Sequence, residues 1–422
     1  MASDVLVIGG GVAGMKAALL LASADRKVHL VEETSVIGGR LIRCEDVYPA
    51  LECATCMVSP MQQEVLRSDL INVYTLSSVE SVEGSSGDFS VTVHTAASCV
   101  DPAACIGCGE CWKACPESTK NDFEEGLSER KAISVPCAGA LPNVPWIDRK
   151  LCVRWTSDEE CSLCADACVF GAVDFNMEDS ETRLQVSDVI LATGYETDPE
   201  NSAEKYLYGK HPGVFTAPEF ERCYASNGPT SGEILTKDGR KPESAAILVH
   251  PGGSGDWSAI STMYCLKFLH YLNEKLPNVR PVVLLDEAYS PGPLQDRYHG
   301  RWAESEARVV RYSEPPSVRE NGSRIEIKCG GGEDFSGNFD LLIPGIAMIP
   351  SEGTVKMAEM LGIEPSGSGY TKIPDLTESS VFTTQKGIYA AGCCTGPLNI
   401  AASVTSASAA AGRVLAGTAG EE

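Results

Sequence analysis

The sequence is short of positive charge, of histidine, of aromatic residues and of long apolar runs. Against 58 Asp and Glu it sets 34 Lys and Arg, a formal net charge of −24. A surface that acidic repels phosphate backbones and anionic lipid, which argues against nucleic-acid and membrane-surface partners. The six histidines are scattered and mark no catalytic base or metal site. No stretch of about 18 apolar residues runs unbroken, so no transmembrane helix is expected. Met1 to Asp4 carries no basic segment, and the apolar residues after it are interrupted by Gly9, Gly10, Gly11 and Gly14, so no secretory signal is expected either. What remains is an acidic chain of 422 residues and 43% hydrophobic content, enough for two or three well-cored domains.

Cysteine, by contrast, is abundant: eighteen residues, many at short spacing. In a secreted chain they would suggest disulfides. Without a secretion signal they read as reduced, cytoplasmic cysteines that ligate metal or clusters.

The N-terminus, Asp4 to Met15 (DVLVIGGGVAGM), is a short apolar strand followed by Gly9-x-Gly11-x-x-Gly14 and an Ala/Leu-rich helix to about Ala24. A second strand from Lys27 ends at Glu32. Such glycines allow a tight turn and let the backbone approach a pyrophosphate at a helix N-terminus; an acid about 20 residues on takes the ribose hydroxyls. Glu32 fits that role, with Glu33 as the fallback. Three further segments favour FAD over NAD. Gly38-Gly39-Arg40 is a second glycine turn. Ser187 to Gly194 (SDVILATG) resembles the strand that closes an FAD domain, pointing to Thr193 and Gly194. Gly387 to Gly392 (GIYAAG) resembles the strand that meets the flavin ribityl chain. The usual Asp after Gly392 is replaced by Cys393-Cys394, so the ribityl contact falls to the backbone. The small-residue stretch from Asn399 to about Leu415 reads as a helix whose first N–H groups face the flavin.

Cys105-x2-Cys108-x2-Cys111-x3-Cys115-Pro116 has the spacing of the bacterial ferredoxin run. Its partner is Cys152-x8-Cys161-x2-Cys164-x3-Cys168, with the first gap widened. Swapped pairing assigns Cys105, Cys108, Cys111 and Cys168 to one four-iron cluster, and Cys152, Cys161, Cys164 and Cys115 to another. Zinc is the competing reading, but a zinc ribbon gives no reason for a third cysteine two residues on or for the trailing Cys-Pro. Cys44, Cys53 and Cys56 form a looser group. It reads as a third cluster, completed by Cys137 or Cys99, with a dithiol pair or buried structural thiols as alternatives. Cys223, Cys265 and Cys329 are isolated and carry no assignment.

The expected organisation is an α/β two-dinucleotide-binding flavoprotein. The FAD domain takes 1–98, 176–211 and 371–422, a two-cluster ferredoxin-like domain is inserted at 99–175, and a Rossmann-like middle domain takes 212–370. The middle domain has βαβ order: a strand from Ala245, a helix from about Ala259 to Lys275, a strand at Pro281 to Asp286 and an exit strand at Asn338 to Pro344. Its turn glycines, Gly252, Gly253 and Gly255, lack the dinucleotide spacing, so the nicotinamide site reads as lost or altered.

Three stretches together resemble the HdrA flavoproteins of heterodisulfide reductase and their relatives: Glu52 to Met61, the ferredoxin run continuing to Ile133, and Ala391 to Pro397. The resemblance implies a thioredoxin-reductase-like flavin core with FAD, an inserted two-cluster ferredoxin domain, and partner redox subunits carrying iron–sulfur clusters or flavin, with ferredoxin as a candidate partner, in anaerobic electron transfer. Some members bifurcate electrons at the FAD. Leu398-Asn399 stand where many members have Lys-Asp, and Ser261-Thr262 where many have paired cysteines. The main alternative is a self-contained NAD(P)H-dependent flavoprotein oxidoreductase.

Overall fold

A computed structural model describes residues 4–157, 160–197, 204–249, 256–286, 300–301, 304–330, 334–345, 347–374 and 379–419. They divide into two compact units. The first comprises Met1–Ile42, Cys56–Tyr195 and Pro350–Glu422; the second comprises Arg43–Thr55 and Glu196–Ile349.

The first unit is built on a five-stranded parallel sheet in the order Ile388–Ala390, Asp188–Leu191, Val5–Ile8, Val28–Val31, Ile71–Tyr74. The central strand, VLVI, is buried at all four positions. That is what a strand covered on both faces requires, and why it reads as an unbroken apolar run. Register decides the rest. Ile8 pairs with Val31 and Leu191, and Leu191 with Ala390. The residues that follow three of these strands, beginning at Gly9, Ala192 and Ala391, therefore emerge side by side at one edge. Crevices at the carboxyl ends of parallel strands are where open α/β sheets bind ligands. An antiparallel sheet of Ser77–Ser85, Asp88–Thr95 and Ser180–Val186 packs on the first, with Val91, Val93 and Val186 fully buried against Leu6.

Ser180 pairs with Thr95, so the chain leaves the antiparallel sheet and returns to it at neighbouring points. The intervening residues form an insert with its own core, which includes Val100, Ile133, Ile147 and Ala172. Its regular structure is sparse: helices Glu110–Ala114, Val153–Thr156 and Leu163–Asp166, and short ribbons. With so little secondary structure, the core holds cysteines as well as aliphatics.

The second unit has a four-stranded parallel sheet in the order Arg308–Tyr312, Val282–Asp286, Ala245–Val249, Leu341–Pro344. Helix Asp256–Lys275 makes the crossover between two of its strands; it begins before the expected Ala259. The exit strand expected at 338–344 is divided. Phe335–Phe339 closes an antiparallel sheet, and only Leu341–Pro344 joins the parallel one. Asp340 breaks the run because its carboxylate accepts from the Ser244 hydroxyl (2.8 Å) and the Glu243 N–H (3.1 Å) and pairs with Arg324 (3.1 Å). Gly252, Gly253 and Gly255 lie outside the described residues. Among the described residues no helix is long and apolar enough to cross a membrane.

Candidate functional site

The first glycine turn is held by contacts that only glycine permits. Gly9 has φ +108°, and a Cβ on it would stand 2.3 Å from the Ala192 carbonyl oxygen. A Cβ on Gly14 would stand 1.8 Å from the Gly9 carbonyl oxygen, so helix Val12–Ala22 starts hard against the turn. Gly11 is different: its backbone is extended, and its nearest neighbour would be the Gly39 Cα at 3.8 Å. The two glycine turns therefore face each other, tied by the Gly38 N–H donating to the Gly10 carbonyl at 2.8 Å. Helix Val12–Ala22 has no side-chain cap and no acid in its first turn, which leaves its positive end suited to an anion.

Glu32 follows the end of strand Val28–Val31, beside this turn. Its carboxylate accepts from the Gly10 N–H (2.7 Å), the Thr34 N–H (2.9 Å) and the Thr34 hydroxyl (2.8 Å). Burial raises its pKa above the usual 4.5, against the pull of these hydrogen bonds. Glu33 is exposed. Arg40 donates from Nε to the Tyr195 carbonyl (3.0 Å), lies over the Tyr195 ring and stands 3.9 Å from Glu125 of the insert.

At the neighbouring strand ends, the Thr193 hydroxyl bonds Thr354 (2.7 Å), and Ser351 donates to the Thr193 carbonyl (2.9 Å). Gly194 and Gly392 have positive φ, and the Gly392 N–H donates to the Ser406 hydroxyl at 2.8 Å. Cys394 is fully buried with its thiol pushed up to about 12 by burial. Burial also raises Cys393, beside Ser403 (3.8 Å). Asn399 is exposed and precedes helix Ile400–Ala419, where its side chain accepts from the Ala402 N–H (2.8 Å). It acts there as a helix cap. Sequence reasoning missed Ser351, Thr354 and Ser406, because isolated hydroxyls carry no motif.

In the insert, Cys115, Cys152, Cys161 and Cys164 line one hollow, walled by apolar residues that include Ile133 and Phe175. Desolvation pushes Cys164 up to about 12, with Cys152 and Cys115 next among the causes. Cys111 rises to about 11, again chiefly by desolvation, with Cys105 and Cys108 adding to it. Backbone N–H groups aim at the sulfurs: Gly107 at Cys105 (3.4 Å) and Ala172 at Cys168 (3.3 Å). Burial opposes ionisation of Cys168, but the N–H groups of Ala172, Phe170, Val173 and Gly171 outweigh it and lower its pKa. Apolar walls and N–H donors aimed at sulfur suit cluster thiolates, whose charge must be held in low dielectric. Among the described residues no three Cys, His, Asp or Glu stand at single-ion ligand spacing.

The looser cysteines divide between the units: Cys44 and Cys53 fall in the second, Cys56 and Cys137 in the first. Cys53 and Cys56 are exposed. Desolvation, then Glu221, pushes Cys44 up to about 11. Cys99 is fully buried in the insert core, with the Arg149 guanidinium 3.5 Å from its sulfur.

Residues 4–48 match the family model described as FAD dependent oxidoreductase. Along 97% of its length the chain is 32% identical to the HdrA component of the H2:CoB-CoM heterodisulfide,ferredoxin reductase of Methanothermobacter marburgensis. Over the same share it is 33% identical to the iron-sulfur HdrA component of the CoB–CoM heterodisulfide reductase of Methanocaldococcus jannaschii. It spans 63% of the length of each. The fold is similar to that of T. acidophilum thioredoxin reductase, with a TM-score of 0.54 at 14% identity over 98% of both chains.

Proposed function

As the chain is a homologue of the HdrA flavoproteins of heterodisulfide reductase along nearly its whole length, we propose that it is an FAD- and iron–sulfur-bearing oxidoreductase subunit that relays electrons between its flavin and its clusters inside a larger redox assembly. The observation that carries this reading is the contact of the insert with the flavin-side glycine turn. The Ile37 N–H donates to the Leu141 carbonyl at 2.9 Å, and Glu125 stands 3.9 Å from Arg40. A cysteine-rich insert seated on the second glycine turn offers a short route out of the flavin site.

FAD, when bound, supplies the exchange between two-electron and one-electron chemistry. In this reading Gly9, Gly11 and Gly14 bring backbone against the pyrophosphate, and Glu32 exchanges the Gly10 N–H for ribose hydroxyls. Gly39, Arg40, Thr193, Gly194, Gly392 and Cys393 border the rest of the cofactor, and the helix capped by Asn399 directs its N-terminus there. Cys105, Cys108, Cys111 and Cys168 hold one four-iron cluster; Cys115, Cys152, Cys161 and Cys164 hold the second. The Cys53-x2-Cys56 pair belongs to a third. Partners are further redox subunits, with ferredoxin as a candidate carrier, since relatives' names include ferredoxin.

The test is the cofactor content of anaerobically prepared protein. One FAD and about eight irons or more per chain, with matching acid-labile sulfide, are expected from the ferredoxin ligand pattern. Stoichiometric zinc without sulfide would overturn the cluster reading. Anaerobic stopped-flow mixing with NADH and with NADPH addresses the self-contained alternative. Slow flavin bleaching is expected, and fast bleaching at micromolar nucleotide would favour that alternative.

A further inference from the structure

A cation stands behind the wall of the hollow lined by Cys115, Cys152, Cys161 and Cys164, held against two of its lining residues, Cys161 and Phe175. Arg154 follows Cys152 by two residues, in the short helix Val153–Thr156. It is half-buried. Its Nη1 donates to the Cys161 carbonyl at 3.1 Å, and its guanidinium lies 4.3 Å from the centroid of Phe175, a residue that lines the hollow. Phe175 is in turn in edge contact with Trp155. The side chain is thus pinned at two points, one on a ligand residue's backbone and one on the wall. Among the described residues no carboxylate pairs with it.

The other arginines of the insert are neutralised. Arg130 pairs with Asp148 (2.8 Å) and Arg149 with Asp179 (3.0 Å). On the other cysteine run, Lys113 is exposed and bound to Glu110 at 2.8 Å, a pair that solvent screens. Lys131, whose Nζ donates to the Pro116 carbonyl at 3.2 Å, adds a second, more exposed charge near the same hollow as Arg154. Glu117 also lines that hollow and opposes both.

We infer that Arg154 is a positioning residue for electrons: it raises the reduction potential of the cluster held by Cys115, Cys152, Cys161 and Cys164. One electron gained by that cluster, and lost by its neighbour, adds a negative charge beside a fixed, partly desolvated guanidinium. No bond or proton is exchanged. Net charge, hydrogen bonding and exposure set cluster potentials, and a half-buried cation held behind the wall favours the reduced form, which carries the extra negative charge. This inference rests on the two-cluster reading above.

The experiment is a redox titration of the full, anaerobically reconstituted chain followed by electron paramagnetic resonance. Iron and acid-labile sulfide are counted first; their absence from the wild-type chain would sink the two-cluster reading itself. The Cys108→Ser and Cys53→Ala variants assign the signals by perturbing the other clusters. In Arg154→Gln the assigned cluster is expected to lose about tenfold in its one-electron equilibrium, a fall of about 59 mV, while the other potentials stay put. Arg154→Lys should retain most of the wild-type value, and Arg154→Gln with Lys131→Gln should fall further. Unchanged potentials in Arg154→Gln, a shift of another cluster instead, or loss of about four irons would each overturn the assignment, the last by making Arg154 a structural support.

Discussion

Two neighbouring glycines of the first turn should separate folding from flavin binding. In Gly14→Ala the new methyl would sit 1.8 Å from the Gly9 carbonyl oxygen, against an ordinary contact of 3.4 Å or more. Helix and turn must then part by about 1.6 Å, and both are backbone, so no flexible side chain absorbs the clash. Overpacking of this kind costs about 3 kcal/mol at the upper end of the usual range, which lowers Tm by roughly 6–12 °C in a unit of this size. In Gly11→Ala the methyl meets nothing nearer than the Gly39 Cα at 3.8 Å, and the backbone is extended. Stability should change by no more than about 0.5 kcal/mol. Yet that methyl stands on the stretch of backbone that is proposed to meet the pyrophosphate. Hundredfold weaker FAD binding, about 2.8 kcal/mol, is expected. The assay pairs thermal melts of flavin-free protein with FAD titration by fluorescence quenching. Full FAD affinity in Gly11→Ala would refute the placement of the pyrophosphate, and a wild-type melt for Gly14→Ala would refute the packing argument.

Cys53→Ala is expected to remove about four irons while both insert clusters survive, by the four-iron template; unchanged iron with altered thiol titration would make Cys53 and Cys56 a dithiol pair. Burial holds the Glu32 carboxyl above its usual 4.5, so the folded, flavin-free chain binds that proton more tightly than the unfolded one. Its contribution to stability is full below the unfolded pKa and is lost as pH rises through the raised folded value. Glu32→Gln should remove that decline in urea melts taken from acid to neutral pH, and an unaltered slope would count against it. In the second unit, Lys267 and Glu221 are buried and 2.6 Å apart. Lys267→Met should destabilise that unit by about 3–5 kcal/mol, because it leaves a carboxylate buried without its cation; a denaturant midpoint matching wild type would contradict this.

Sequence alone determined what depends on neighbours along the chain. The glycine spacing after a buried strand, the acid at Glu32 and the cysteine intervals are local demands of a turn or a ligand set, so they are written in consecutive residues. Helix and strand placement followed apolar period for the same reason. It failed at Asn338 to Pro344, where the hydrogen bonds of Asp340 to Glu243 and Ser244, about a hundred residues away in the chain, divide one apolar run into two strands. Asn399 was legible as a helix start, but its side chain serves the Ala402 N–H. Only the tertiary structure decided which strand ends share an edge. Parallel register brought Gly9, Ala192 and Ala391 together, and with them came Ser351, Thr354 and Ser406, hydroxyls that no motif marks. The same holds for Arg154: its type and position are plain in the sequence, but its seat on Phe175 depends on how the insert folds back on itself. Charges and hydroxyls act through space, and no interval along the chain records which of them a fold will bring together.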